Sequence, residues 1–153
     1  MQRRRAVACL GNPIMGDDAF GVLVAKELEG MAGADLLLLD EGGLDVAVNL
    51  ISYSNILIID AIESKDGKVG DIVELSVEAL SETKGLSGHA MTLAEALEAL
   101  SLLSGEAPRE VRILACRIRP VETYGESVTP KVAEAAKLCA RMAERWVRTG
   151  SIR

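Results

Sequence analysis

An α/β fold is predicted: a three-layer α/β/α sandwich around a five-stranded, mostly parallel, twisted sheet with one antiparallel strand. Three observations predict it. Short apolar runs alternate with stretches whose apolar residues recur at three- and four-residue spacing, the pattern of strands alternating with helices. The third run, Ile56-Leu57-Ile58-Ile59, is apolar throughout, as a strand covered on both faces should be. Only the glycine-containing loop 63–70 separates that run from the next. Such a loop is too short for a parallel crossover, so an antiparallel hairpin is expected there.

The elements follow in order. Ala6 to Leu10 reads as a short buried strand that ends at a glycine loop, Gly11 to Asp18. A helix comes next, with Phe20, Leu23, Val24, Leu28 and Met31 on one face. Leu36 to Leu39 reads as a second buried strand, closed by Asp40-Glu41-Gly42-Gly43, and Leu44 to Ile51 as a short helix. Asn55 to Asp60 is the third strand and Asp71 to Leu75 the fourth. A polar stretch, Ser76 to His89, leads to a helix whose start, Thr92-Leu93-Ala94-Glu95, matches a capping box. Its inward residues are Leu93, Leu97, Leu100 and Leu103. Val111 to Ile118 is the fifth strand. Thr129-Pro130 opens the last helix with a cap residue and a proline at the first helical position. Its apolar face holds Val132, Ala136, Cys139, Met142, Ala143 and Trp146. No repeat or long linker divides the 153 residues, so one domain spanning 1–153 is expected.

Composition removes several functions. The chain is 49% hydrophobic, enough for a core in a chain that buries about 70% of its unfolded surface. A formal charge of −6 and 3% aromatic residues argue against nucleic acid and anionic membrane as partners. The basic start, Met1 to Arg5, is followed by an apolar run that stops at Leu10, too short for a signal peptide. Cys9, Cys116 and Cys139 are odd in number and far apart, which disfavours disulfides and zinc ribbons and fits a reduced, cytoplasmic protein. No apolar face is left over for a dimer, so a monomer is expected.

In such sheets ligands bind outside the carboxyl ends of the strands. Asp18 follows the first strand, Asp40 ends the second and Asp60 the third. The helix after His89 leads into a strand expected to be parallel to these, so it should begin on the same edge. Asp18, Asp60 and the single histidine, His89, can therefore converge. Two carboxylates and an imidazole suit a borderline divalent ion such as nickel, zinc or manganese. They also suit a metal-free acid/base set. Gly11-Asn12-Pro13-Ile14-Met15-Gly16 has the glycine spacing of a phosphate loop, but Asp17 and Asp18 stand where a lysine must be. For a lone aspartate the simplest role is complementing a helix dipole, and that role is assigned to Asp17. Cys9 and Cys116 fall in strands and Cys139 on an apolar helix face, so packing is their expected role. Arg117 and Arg119, at the end of the fifth strand, are either solvated charge or binders of a carboxylate group. Three functions remain: an enzyme working through the carboxylates, a non-catalytic metal-binding module, and a nucleotide or phosphosugar enzyme of doubly wound fold.

A set of segments points further. They are Leu10-Gly11-Asn12, Gly16-Asp17-Asp18, Gly21-Val22, Asp40 with its following glycines and Ile58-Ile59-Asp60-Ala61. Ser87-Gly88-His89 with Leu93-Ala94-Glu95-Ala96-Leu97, and Val128-Thr129-Pro130, complete the set. In order and spacing it resembles the hydrogenase maturation endopeptidases, which trim the C-terminal tail of nickel-iron hydrogenase large subunits. The resemblance covers most of the chain and implies a peptidase whose substrate is that precursor. It implies that Asp18, Asp60 and His89 are the catalytic, metal-contacting residues, and that the metal is nickel carried in by the substrate. Asp40, with Gly42 and Gly43, corresponds to a substrate-recognition position. Arg117-Ile118-Arg119-Pro120 stands where the family is expected to carry Gly-Ile-Gln-Pro, so Arg117 and Arg119 are expected to bear on the substrate.

Overall fold

The apolar runs become strands of one sheet in the computed structural model of the chain, which describes residues 4–12, 14, 16–40, 43–83, 91–120 and 127–153. In chain order come β1 (Arg5–Leu10), a 3-10 turn (Gly16–Ala19), α1 (Phe20–Glu27), β2 (Asp35–Leu39), α2 (Gly43–Leu50) and β3 (Asn55–Glu63). Then follow β4 (Ile72–Leu75), α3 (Val77–Thr83), α4 (Leu93–Ser104), β5 (Glu110–Ile118) and α5 (Pro130–Thr149). The strand order is β2-β1-β3-β5-β4. All pairs are parallel except β4 with β5.

The expected hairpin between the third and fourth strands does not form. β5 lies between them, matching β3 from Asn55–Glu110 to Glu63–Ile118 and taking β4 on its other side. A short connection sets the direction of β4, and that part of the expectation holds. The neighbour is decided by burial: β5 has nine residues that run the full length of β3, whereas β4 has four. The second strand is also less buried than its leucines imply. β2 is an edge strand, half-covered, and Leu38 is 57% exposed.

Strand alternation divides the core into two layers. Val7, Cys9, Leu57, Ile59, Leu114 and Cys116 pack against Phe20 and Val24 of α1, against Leu28 just beyond it, and against the apolar face of α5 around Trp146. Ala6, Ala8, Ile56, Ile58, Ile62 and Ile113 pack on the opposite side with Val46 and Leu50 of α2, Leu80 of α3, and Leu93 and Leu97 of α4. α3 lies inside the stretch read from sequence as polar connection. Its buried Leu80 is the residue that docks it.

The helix starts behave differently from one another. Thr92 caps α4 as the sequence motif requires, accepting the Glu95 amide at 3.1 Å and donating its hydroxyl to Glu95 Oε1 at 3.0 Å. Gly105 ends that helix at φ 72. Leu103, expected to face inward, is 84% exposed; the helix outruns the face it covers, which apolar spacing cannot reveal. Thr129 sits at the N-cap of α5 but does not cap it. Its side chain is used elsewhere.

Candidate active site at the carboxyl edge

The loop after β1 is drawn tightly over the sheet. A Cβ on Gly21 would lie 2.0 Å from the Leu10 carbonyl oxygen, and one on Gly11 2.7 Å from that of Asp18. The Asn12 amide closes the loop on the same Asp18 oxygen at 3.1 Å. These contacts leave Asp18 half-buried in the 3-10 turn, which packs against β3. Of the two glycines whose spacing mimics a phosphate loop, Gly11 thus serves close packing of backbone on backbone, and Gly16 takes a left-handed φ of 51.

β3 does not stop at Asp60, as read from sequence, but continues to Glu63. Asp60 therefore lies within a strand, fully buried, in the stripe Ile56-Ile58-Asp60-Ile62 that faces α2, α3 and α4. Its Oδ1 accepts the Ala61 amide at 2.7 Å. Putting a carboxylate at an apolar position costs stability that an isoleucine would not. Among the described residues the buried charged side chains are Asp60 and Asp17, and both belong to this edge.

Asp17 has a role that sequence reasoning missed. Instead of serving its own helix, its carboxylate accepts the Thr129 amide and the Thr129 hydroxyl, each at 2.6 Å. One buried side chain thus holds the N-cap residue of α5 by its amide and hydroxyl and ties that helix to the loop carrying Asp18. The readable signal was Thr129-Pro130 itself: a cap residue needs a partner, and a second carboxylate beside Asp18 was available.

His89 and Gly42 lie outside the described residues. The chain just after His89 does reach this edge, because a Cβ on Gly43 would be 2.3 Å from the Met91 carbonyl oxygen. Gly43 begins α2 immediately beyond β2, and Asp40, between them, is exposed. The expectation that α4 starts on the carboxyl edge is met, since it leads into β5, which is parallel to β3. Among the described residues no three His, Cys, Asp or Glu side chains form a metal-holding group.

The two arginines separate. Arg117 is half-buried, and its guanidinium donates to Ser64 Oγ at 2.8 Å and to the Asp66 carbonyl at 2.9 Å. It braces the loop between β3 and β4. Arg119 is exposed and lines a groove beside that loop. The cysteines are fully buried, as expected. Burial pushes the Cys9 and Cys116 thiols up to about 12 and raises Cys139 as well. Thiolates, the nucleophilic form, are thereby disfavoured.

A family model described as hydrogenase maturation protease matches residues 22–146. The chain belongs to the hydrogenase maturation protease family. It is therefore a peptidase, and neither a metal-binding module nor a nucleotide enzyme has support. Among curated relatives, the hydrogenase expression/formation protein HoxM of Cupriavidus necator is 28% identical over 90% of this chain and 72% of its own length. HupD of Bradyrhizobium diazoefficiens is 25% identical over 94% and 79%. Among solved structures, the hydrogenase maturating endopeptidase HybD from E. coli superposes with a TM-score of 0.74 at 28% identity, covering 93% of this chain and 92% of that one. The HybD maturation protease of Thermococcus kodakarensis, 22% identical with a TM-score of 0.69, shares the fold over 94% of this chain and 99% of its own. This maturation protease thus has the fold read from its sequence.

Proposed function

We propose that this protease removes the C-terminal extension of a nickel-loaded hydrogenase large-subunit precursor, with Asp18, Asp60 and His89 as its working residues. The observation that carries the reading is Asp60: a fully buried carboxylate in an otherwise apolar stripe, on the sheet edge where α/β enzymes bind ligands. Membership of the maturation protease family supplies the reaction class.

In this reading the nickel belongs to the substrate. The two carboxylates and the imidazole recognise it, so that an unloaded precursor is not cut. Cleavage itself needs a base for water. One carboxylate takes a proton as the water oxygen bonds to the scissile carbonyl carbon, and the proton passes to the departing amine as the C–N bond breaks. Asp40, with Gly42 and Gly43, contacts the precursor at the end of β2. The protein works in the cytoplasm as a monomer outside the substrate complex. No described helix is long and apolar enough to cross a membrane.

Purified precursor from the same source, with and without nickel, followed by mass for loss of its tail, tests this reading. Nickel-dependent cleavage, lost in Asp18→Asn and Asp60→Asn, supports it. No cleavage of a demonstrably nickel-loaded precursor overturns it, and so does steady hydrolysis of casein without nickel.

A further inference from the structure

A groove of about 930 Å³ opens between the β3–β4 loop and the first turn of α5, with Lys65, Lys68, Arg119 and Lys131 along its walls. Its described lining contains no carboxylate, although the chain as a whole carries a charge of −6. None of the four cations forms an ion pair with a described residue. Like charges so placed repel one another and gain from an anion between them.

The walls are braced. Arg117 holds the loop through Ser64 and Asp66, and its side chain lies 2.7 Å from where a Cβ on Gly67 would be, a residue at φ 78. The Gly70 amide bonds the Arg117 carbonyl at 2.9 Å, and the Lys68 amide bonds Asp71 Oδ2 at 3.1 Å. The groove also adjoins the proposed site, since Thr129 lines it and bonds Asp17, the neighbour of Asp18.

We propose that this groove binds the negatively charged end of the precursor's C-terminal tail, its terminal carboxylate and nearby acidic side chains, and so helps select the substrate. The proposal rests on the reading of the chain as a tail-removing peptidase, for such a tail always ends in a carboxylate. A braced loop favours binding because little ordering remains to be done when the ligand arrives. Phosphate-rich polymers are the poorer fit, given the overall acidity and the 3% aromatic content.

Fluorescence anisotropy with a labelled oligoglutamate reads the groove without any cleavage. The expected result is binding that weakens with salt, and weakens again when the peptide's terminal carboxylate is amidated. The double variant Lys68→Glu, Lys131→Glu should lose about tenfold in affinity, about 1.4 kcal/mol. Both lysines are exposed, and an unchanged thermal midpoint confirms that the fold is intact. On nickel-loaded precursor the same variant should raise KM about tenfold and move kcat by less than roughly twofold. Equal binding by the variant overturns the proposal, as does equally tight binding of oligoglutamine or displacement of the probe by a lower concentration of oligothymidylate. Wild-type binding of oligoglutamate, lost in the variant, with a nickel-loaded precursor left uncut, overturns the proposed removal of that precursor's tail and keeps the groove as a carboxylate site.

Discussion

The two ends of the sheet treat their carboxylates in opposite ways. At the amino edge Asp35 is half-exposed and meets Arg4 at 2.9 Å and the Tyr53 hydroxyl at 2.7 Å, with the Arg4 guanidinium stacked 4.8 Å from the Tyr53 ring. On the same edge but three strands across the sheet, Glu110 accepts the Trp146 indole N–H at 3.0 Å. At the carboxyl edge Asp17 and Asp60 are buried, and their bonds run to backbone amides and a threonine hydroxyl. Solvated pairs of the first kind hold an edge together at little cost. Buried carboxylates of the second kind are expensive and persist where a task needs them.

The largest test of that contrast is Asp60→Asn. The amide keeps an oxygen for the Ala61 N–H, so the fold should hold while cleavage of nickel-loaded precursor falls by about 10²–10⁴-fold, the usual worth of an acid/base group. Retained activity would place Asp60 with the structural residues. Next comes Gly21→Ala. The 2.0 Å approach to the Leu10 carbonyl involves backbone on both sides, so about 3 kcal/mol of stability should be lost, seen as a shift in the denaturant midpoint. A silent substitution would show that the loop yields without cost.

Asp17→Ala removes both bonds to Thr129 and should cost about 2 kcal/mol. For a chain of this size that lowers the melting midpoint by roughly 4–8 °C. If Asp17 positions Asp18, Asp17→Asn should lower kcat by more than its stability loss explains; a purely structural role would leave kcat unmoved. Asp35→Asn is the smallest change, with cleavage intact and a slight loss of stability.

The amino edge also sets a pH response. Hydrogen bonds from Tyr53 and Arg4 hold the Asp35 carboxyl below its ordinary value. The unfolded chain therefore binds the extra proton first, and this contribution to stability is present at neutral pH and lost as pH falls through the folded value. Burial, then the bond to Asp35, raises the Tyr53 hydroxyl above its ordinary 10.0. Its contribution is present below 10.0 and lost as pH rises through the folded value. Melting curves across the range should show both flanks, and Asp35→Asn should flatten the acidic one.

The strands, the helix starts other than that of α3, and the edge on which Asp18 and Asp60 lie were legible in the chain alone, because periodicity and caps are local and a parallel sheet offers one functional edge. The family pattern was legible separately, as a resemblance carried by short segments in order and spacing from Leu10-Gly11-Asn12 to Val128-Thr129-Pro130. Local rules also set the direction of β4, since eight loop residues cannot cross over. They could not say that β5 would take the place beside β3, because that choice compares the burial of whole strands. Nor could they separate Arg117 from Arg119, turn Asp17 from a helix-dipole partner into the anchor of Thr129 at the start of α5, or collect four cations into one groove. Each of these depends on groups distant in sequence meeting in space. Asp17 and Thr129 are 112 residues apart, and no spacing rule spans that distance.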